Sequence, residues 1–167
     1  IINGLSKGFA MTGWRLGYMA ANAHIVKACE KLQGQFTSGT NSITQRAAIT
    51  ALTGTMEPTH KMVQEFERRR KRVIELMQEI DGFRYAEPDG AFYVFPDVSH
   101  YFSRRCDGQE VNDANDLAMY LLNTAHVSTV SGSGFGDDRS LRISFANHID
   151  NIEKGFTRIK SALEKLH

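Results

Sequence analysis

Between Glu57 and Ile80 the chain carries its longest periodic segment. Met62, Val63, Phe66, Val73, Leu76, Met77 and Ile80 recur at helical spacing and fall on one stripe. A helix of this length with an apolar stripe needs a covering layer, so it constrains everything around it. Pro58 suits its first turn, where a missing N–H costs nothing, and Asp81-Gly82 is expected to end it. The opposite face holds "ERRRKR", residues 67–72. A charge run on a helix reads as a solvated face, not as a nucleic-acid patch.

On either side of this helix the character of the chain differs. Before it, Ile1 to Asn3 reads as the end of a strand, 4–13 as a loop and Leu16 to Ala21 as a second short strand. Two helices are predicted next, 24–36, where Ile25, Ala28, Cys29 and Leu32 recur at helical spacing, and 42–52 with Ile43, Ala47 and Leu52 inward. After it, strands are predicted at 83–86 and 91–96 around the Pro88-Asp89-Gly90 turn, with further strands at 127–130 and 141–146. Helices over 113–124 (Leu117, Ala118, Leu121 and Leu122 inward) and 149–166 complete an α+β pattern. The natural break lies near the start of the long helix, dividing the chain into 1–56 and 57–167. The second part holds enough elements to bury a core of its own. The first is expected to be poorly protected, or ordered only through association, because its apolar faces lack partners.

Composition narrows the function classes. Twenty basic against nineteen acidic residues leave a net charge of +1, which gives no bulk attraction for nucleic acid or anionic lipid. No apolar stretch is long enough to span a membrane. Cys29 and Cys106 stand far apart without a histidine cluster, so no metal site is expected, and two thiols suit a reducing cytoplasm. The chain opens on Ile1-Ile2 without an initiator methionine and reads as a piece of something longer.

The chemistry concentrates in "LSKGFAMTGWRLGY", residues 5–18. Lys7 lies in a small, glycine-rich setting that a solvated lysine does not need. A lysine amine can form a Schiff base with an aldehyde, most often that of pyridoxal 5'-phosphate. Gly4 and Gly8 would permit close backbone approach. Arg15 offers a planar, always-charged fork for phosphate, and the Ser6 hydroxyl a further hydrogen bond. "SGSGFG", residues 131–136, precedes a strand and not a helix, which argues against a phosphate loop.

The run Gly4-Leu5-Ser6-Lys7, Ala10-Met11, Gly13, Arg15, Gly17 resembles the pyridoxal-phosphate attachment signature of class I aminotransferases, with "FAMTGWRLGY" most like the bacterial aspartate aminotransferase branch. "PDGAFYVFPD" resembles the small-domain strand of that family, and "LRISFA" its substrate-binding strand. The resemblance implies an α/β fold of aminotransferase type I. Residues 1–56 would be the last part of the large pyridoxal-phosphate domain, and 57–167 the interdomain helix and small α+β domain. It implies that Lys7 is the catalytic lysine and that Ser6, Lys7 and Arg15 bind the cofactor, while Arg142 holds the substrate α-carboxylate. Phe92 and Phe135 either line the site or pack in the core.

The implied reaction is a ping-pong amino transfer from an amino acid, aspartate by resemblance, to a 2-oxo acid, 2-oxoglutarate by resemblance. Aromatic or prephenate-type substrates stay open. The family works as a homodimer. It also draws a glycine loop, a ring-stacking aromatic and an acid for the ring nitrogen from a long N-terminal portion that is not in this sequence, so this stretch alone is expected to be inactive. An aminotransferase-like domain of a transcriptional regulator, or a lyase or synthase on the same fold, are the competing readings.

Overall fold

The computed structural model describes residues 1–167. Its contacts divide the chain into two compact units, Ile1–Val63 and Gln64–His167.

The first unit opens with a two-stranded antiparallel ribbon, β1 (Ile2–Gly4) and β2 (Gly17–Met19), paired Ile2 to Met19, Asn3 to Tyr18 and Gly4 to Gly17. The helices α1 (Ala23–Phe36) and α2 (Ser42–Thr53) follow. Each starts on an asparagine whose side chain accepts backbone N–H groups: Asn22 from His24, and Asn41 from Ile43 and Thr44. The inward face predicted over 42–52 does not hold. No residue of α1 is buried, with Ile25 54% and Leu32 61% exposed. In α2 the buried residues are Thr44 and Ala48, while Ile43 and Leu52 are exposed. The physical reason is supply of surface. Two three-residue strands present no sheet face wide enough to cover two amphipathic helices.

The long helix α3 (Glu57–Gln78) starts with Thr55 Oγ1 accepting the Glu57 N–H at 3.2 Å and ends two residues earlier than its stripe. Gly82 then takes φ +84, where an added Cβ would strike the His100 ring. Its apolar stripe changes character along its length. Val63 is exposed, whereas Val73, Leu76, Met77 and the following Ile80 are buried. The polar face is laced with ion pairs: Glu65 with Arg68 and Arg69, Glu67 with Arg70 and Lys71, Glu75 with Arg72. Hydrogen bonds from Arg68 and Arg69 hold the Glu65 carboxyl down to about 2.

In the second unit a three-stranded antiparallel sheet has the order β3 (Tyr93–Val94), β7 (Leu141–Ser144), β6 (Val130–Ser131), so β7 is central. Strand 83–86 reduces to a single bridge between Arg84 and Asp97, which also bridges Ser140. Strand 91–96 shortens to β3, since Pro96 has no N–H to give a ladder. A second hairpin, β4 (Arg104–Cys106) with β5 (Gln109–Val111), was not anticipated. Its turn is Asp107-Gly108 with φ +50 and +80, the left-handed pair of a type I′ turn. The helix α4 (Ala114–Tyr120) is capped by Asp113, then widens into one π turn over Leu121–Ala125, where Leu122 is exposed. The closing helix α5 runs Ile149–Leu163.

One continuous core joins α3, α4, α5 and the sheet. Val98, Val111, Leu117, Leu121 and Leu141 are fully buried in it, and the Tyr120 hydroxyl donates to Ala162 O at 2.9 Å. No helix is long and apolar enough to cross a membrane, and no cluster of three potential metal ligands forms. Both cysteines are free thiols, Cys29 exposed and Cys106 buried.

The contrast between the units is open to measurement. Leu117→Ala removes a fully buried side chain and should cost about 2–5 kcal/mol of stability. Leu32→Ala, on an exposed face of α1, should stay within about 0.5 kcal/mol. Urea unfolding of the two variants checks this, and equal losses would refute the assignment of the core.

Candidate functional site

Ser6, Lys7 and Arg15 sit on one loop, residues 5–16, which joins the two strands of the ribbon. The strands approach closely because two glycines face each other. A Cβ on Gly17 would lie 3.1 Å from Asn3 O, and one on Gly4 3.4 Å from Leu16 O. The role expected of Gly4 is therefore met by strand pairing within the chain. Around Gly8 and Gly13 no atom lies within 4 Å of an added Cβ, so their open sides face free space.

The loop is pinned from inside by Leu5, 1% exposed. Its N–H donates to Leu16 O at 3.3 Å, and its carbonyl accepts from Phe9 and Met11. Lys7 O accepts from the Ala10 N–H, and Gly8 O from the Thr59 hydroxyl at 3.1 Å. A 3₁₀ turn over Thr12–Trp14 then delivers Arg15 in the left-handed conformation, φ +53, with its Nη1 on Thr12 O at 3.0 Å. A single buried leucine and a chain of turns thus hold the loop's shape, leaving Lys7 and Arg15 exposed and Ser6 half-buried.

The donor set fits a phosphorylated aldehyde. An amine, a hydroxyl and a guanidinium share the loop. Arg15 makes no ion pair, so its fork is uncommitted to any acid of this chain. The broad groove of this unit, between β2, α1 and α2, takes in none of the three residues.

Arg142 belongs to the other unit. It lies on the central strand β7, opposite Val130 of β6, and is half-buried. Its guanidinium carbon sits 4.7 Å from the Tyr93 ring centre and 4.5 Å from that of Phe135. No ion pair or hydrogen bond joins it to an acid of this chain; Asp97 and Asp137 are taken by Arg84, Arg139, Ser99 and Ser140. The two phenylalanines part company here. Phe92 packs against Phe66 and Tyr93 at the core's edge, whereas Phe135 is 53% exposed over Arg142. Tyr93 was not singled out from sequence, although its pairing opposite Ser144 puts it on the face of Arg142.

The "SGSGFG" run forms the end of β6 and a 3₁₀ turn over Gly132–Phe135. Three of its amides are spent internally: Gly132 N on Ser140 O, Ser133 N on Ser131 Oγ, Gly136 N on Ser133 O. This is no phosphate cradle.

Comparison with known proteins shows the family. Residues 1–159 match the family model described as aminotransferase class I and II. The chain is 45% identical, over 97% of its length, to 35% of a bifunctional aspartate aminotransferase and glutamate/aspartate-prephenate aminotransferase from Petunia hybrida. It is 39% identical, over 99% of its length, to 41% of an aspartate aminotransferase from Bacillus subtilis. The crystal structure of the aspartate aminotransferase from Rhizobium meliloti superposes with a TM-score of 0.95 at 36% identity, covering 99% of this chain and 42% of that one. The chain therefore spans between a third and a half of the length of the relatives it matches. Family model, sequence and fold agree, and the chain belongs to the class I and II aminotransferases.

Proposed function

We propose that this chain carries the cofactor lysine and the carboxylate-binding arginine of a pyridoxal-phosphate-dependent aminotransferase. In this reading, 1–56 is the end of the large domain and 57–167 the interdomain helix and small domain. The observation that carries it is the 5–16 loop, which places Lys7, Ser6 and Arg15 on one turn-built segment between two paired strands.

When bound, pyridoxal phosphate supplies an aldehyde that amines condense with and a ring that draws electrons from a substrate's α-carbon. Lys7 would hold it through Nζ. With its amine free, Lys7 would act as general base and then acid, moving the proton from the substrate α-carbon to the cofactor. Arg15 presents its fork to the phosphate and Ser6 adds a hydrogen bond. Arg142 takes the substrate α-carboxylate in a bidentate pair and so orients the bond that breaks. The names of the relatives favour aspartate as amino donor, with 2-oxoglutarate as the acceptor proposed from the branch resemblance. The residue that reads a side-chain carboxylate is not among those described above.

Borohydride reduction of the full-length, cofactor-loaded protein should fix the adduct on Lys7. Peptide mapping that finds it on Lys27 or Lys31 instead would defeat the assignment.

Arg15→Ala should weaken cofactor retention by tenfold or more. A charge-assisted hydrogen bond contributes about 1.5–3 kcal/mol. An unchanged affinity in a cofactor titration would remove Arg15 from the phosphate site.

A panel of amino donors tests the substrate class. Aspartate should give the highest kcat/KM, and preference for an uncharged donor would overturn it.

A further inference from the structure

We propose that Tyr93 and Phe135 are positioning residues for Arg142, clamping its guanidinium between two rings so that only its in-plane edge is offered to a substrate carboxylate. The proposal rests on the reading of Arg142 as the carboxylate anchor and adds what aims it.

The contact on the first face follows from register. Tyr93 of β3 stands opposite Ser144 of β7, so Arg142, two residues earlier on β7, is its diagonal neighbour on the same side of the sheet. The guanidinium carbon lies 4.7 Å from the centre of that ring. The second ring comes from the turn after β6, where Phe135 approaches to 4.5 Å. Both distances are within the range of a cation–π interaction. A guanidinium with its faces covered keeps its N–H donors only around its rim, which matches the plane of a carboxylate and its two oxygens.

Each ring is itself held. Tyr93 packs against Phe92 with ring centres 4.6 Å apart. Phe135 meets Phe95 edge to face at 6.2 Å and 88°. The turn that carries Phe135 has little room to shift. A Cβ on Gly132 would lie 2.3 Å from Asp137 O and 2.6 Å from Ser140 O, so backbone closes tightly on it. Gly136 ends the turn at φ +87, a conformation that suits glycine. Asp137 then ties the exit by accepting the Arg139 N–H at 3.0 Å and the Ser140 hydroxyl at 2.8 Å.

The surroundings explain why rings are used. Arg84 and Arg139 share Asp97, and an acid placed likewise against Arg142 would have to be displaced by every substrate. Aromatic faces fix a cation without occupying its donors. That Phe135 remains 53% exposed while covering an arginine is the expense of this arrangement, since burial alone would place it elsewhere.

The test has two readouts. In the 167-residue chain, the Arg142 side-chain N–H resonances should lie upfield of those of other arginines, because they sit over ring faces. Phe135→Leu should abolish much of that shift, and Phe135→Tyr and Tyr93→Phe should keep it. In the full-length, cofactor-loaded protein, Phe135→Leu and Tyr93→Leu should each weaken binding of succinate, a carboxylate without an amine, by about five- to tenfold. KM for the amino donor should rise in parallel, with kcat changing less, and the ring-conserving variants should restore both. No upfield shift in the wild-type chain, or a shift lost without loss of succinate affinity, would overturn the clamp. If Arg142→Lys leaves succinate affinity unchanged while the wild-type shift is present, the anchor reading falls and the clamp's role falls with it. Borohydride labelling of Lys7 would be unaffected by that result.

Discussion

Burial of the C-terminal half of α3 is the interaction on which the second unit depends. Val73, Leu76, Met77 and Ile80 present one stripe to the sheet and to α5, each contributing about 1.5–3 kcal/mol if fully removed from water. Against that stripe β7 becomes the central strand, with Leu141, Ile143 and Phe145 buried on the core side. Alternation along the strand then turns Arg142 to the other face. The candidate carboxylate anchor thus lies on the strand whose alternate residues enter the core.

The basic residues sort by whether an acid claims them. On α3, Arg68, Arg69, Arg70 and Arg72 are taken by Glu65, Glu67, Glu75 and Glu153, which turns a run of positive charge into a neutral, structured surface. Such exposed pairs add little stability individually. Arg15 and Arg142 differ in kind. One is set in a left-handed turn with a backbone carbonyl as its protein partner, and the other lies between two rings. An arginine kept away from acids by the fold retains its donors for a ligand, which is the common physical logic of the two candidate positions.

Much of the fold was legible in the residues. The long helix α3 and the closing helix α5 rest on local periodicity and stand where it places them, with the C-terminal half of the α3 stripe buried and Val63 exposed. The hairpin at Asp107-Gly108 had a readable signal, since that dipeptide supplies the left-handed pair a type I′ turn needs, but its strands are only three residues long. The inward face predicted for α2 is not covered. A hydrophobic stripe says which side of a helix should be covered, not whether this stretch of chain holds the surface that covers it.

The sequence by itself determined the chemical inventory: Lys7 in a glycine-rich run, Ser6 beside it, Arg15 without a neighbouring acid, and Arg142 inside an apolar strand. These are covalent facts, and spacing along the chain is enough to read them. Only the tertiary structure decided how the groups are held. Leu5 pins the loop by closing on Leu16, and Tyr93 and Phe135 arrive over Arg142 from a neighbouring strand and from the turn after β6. Contacts of that kind depend on strand register and on the path of a turn between distant residues. Neither is written in local periodicity, because a one-residue slip in pairing would leave the same sequence with another face presented.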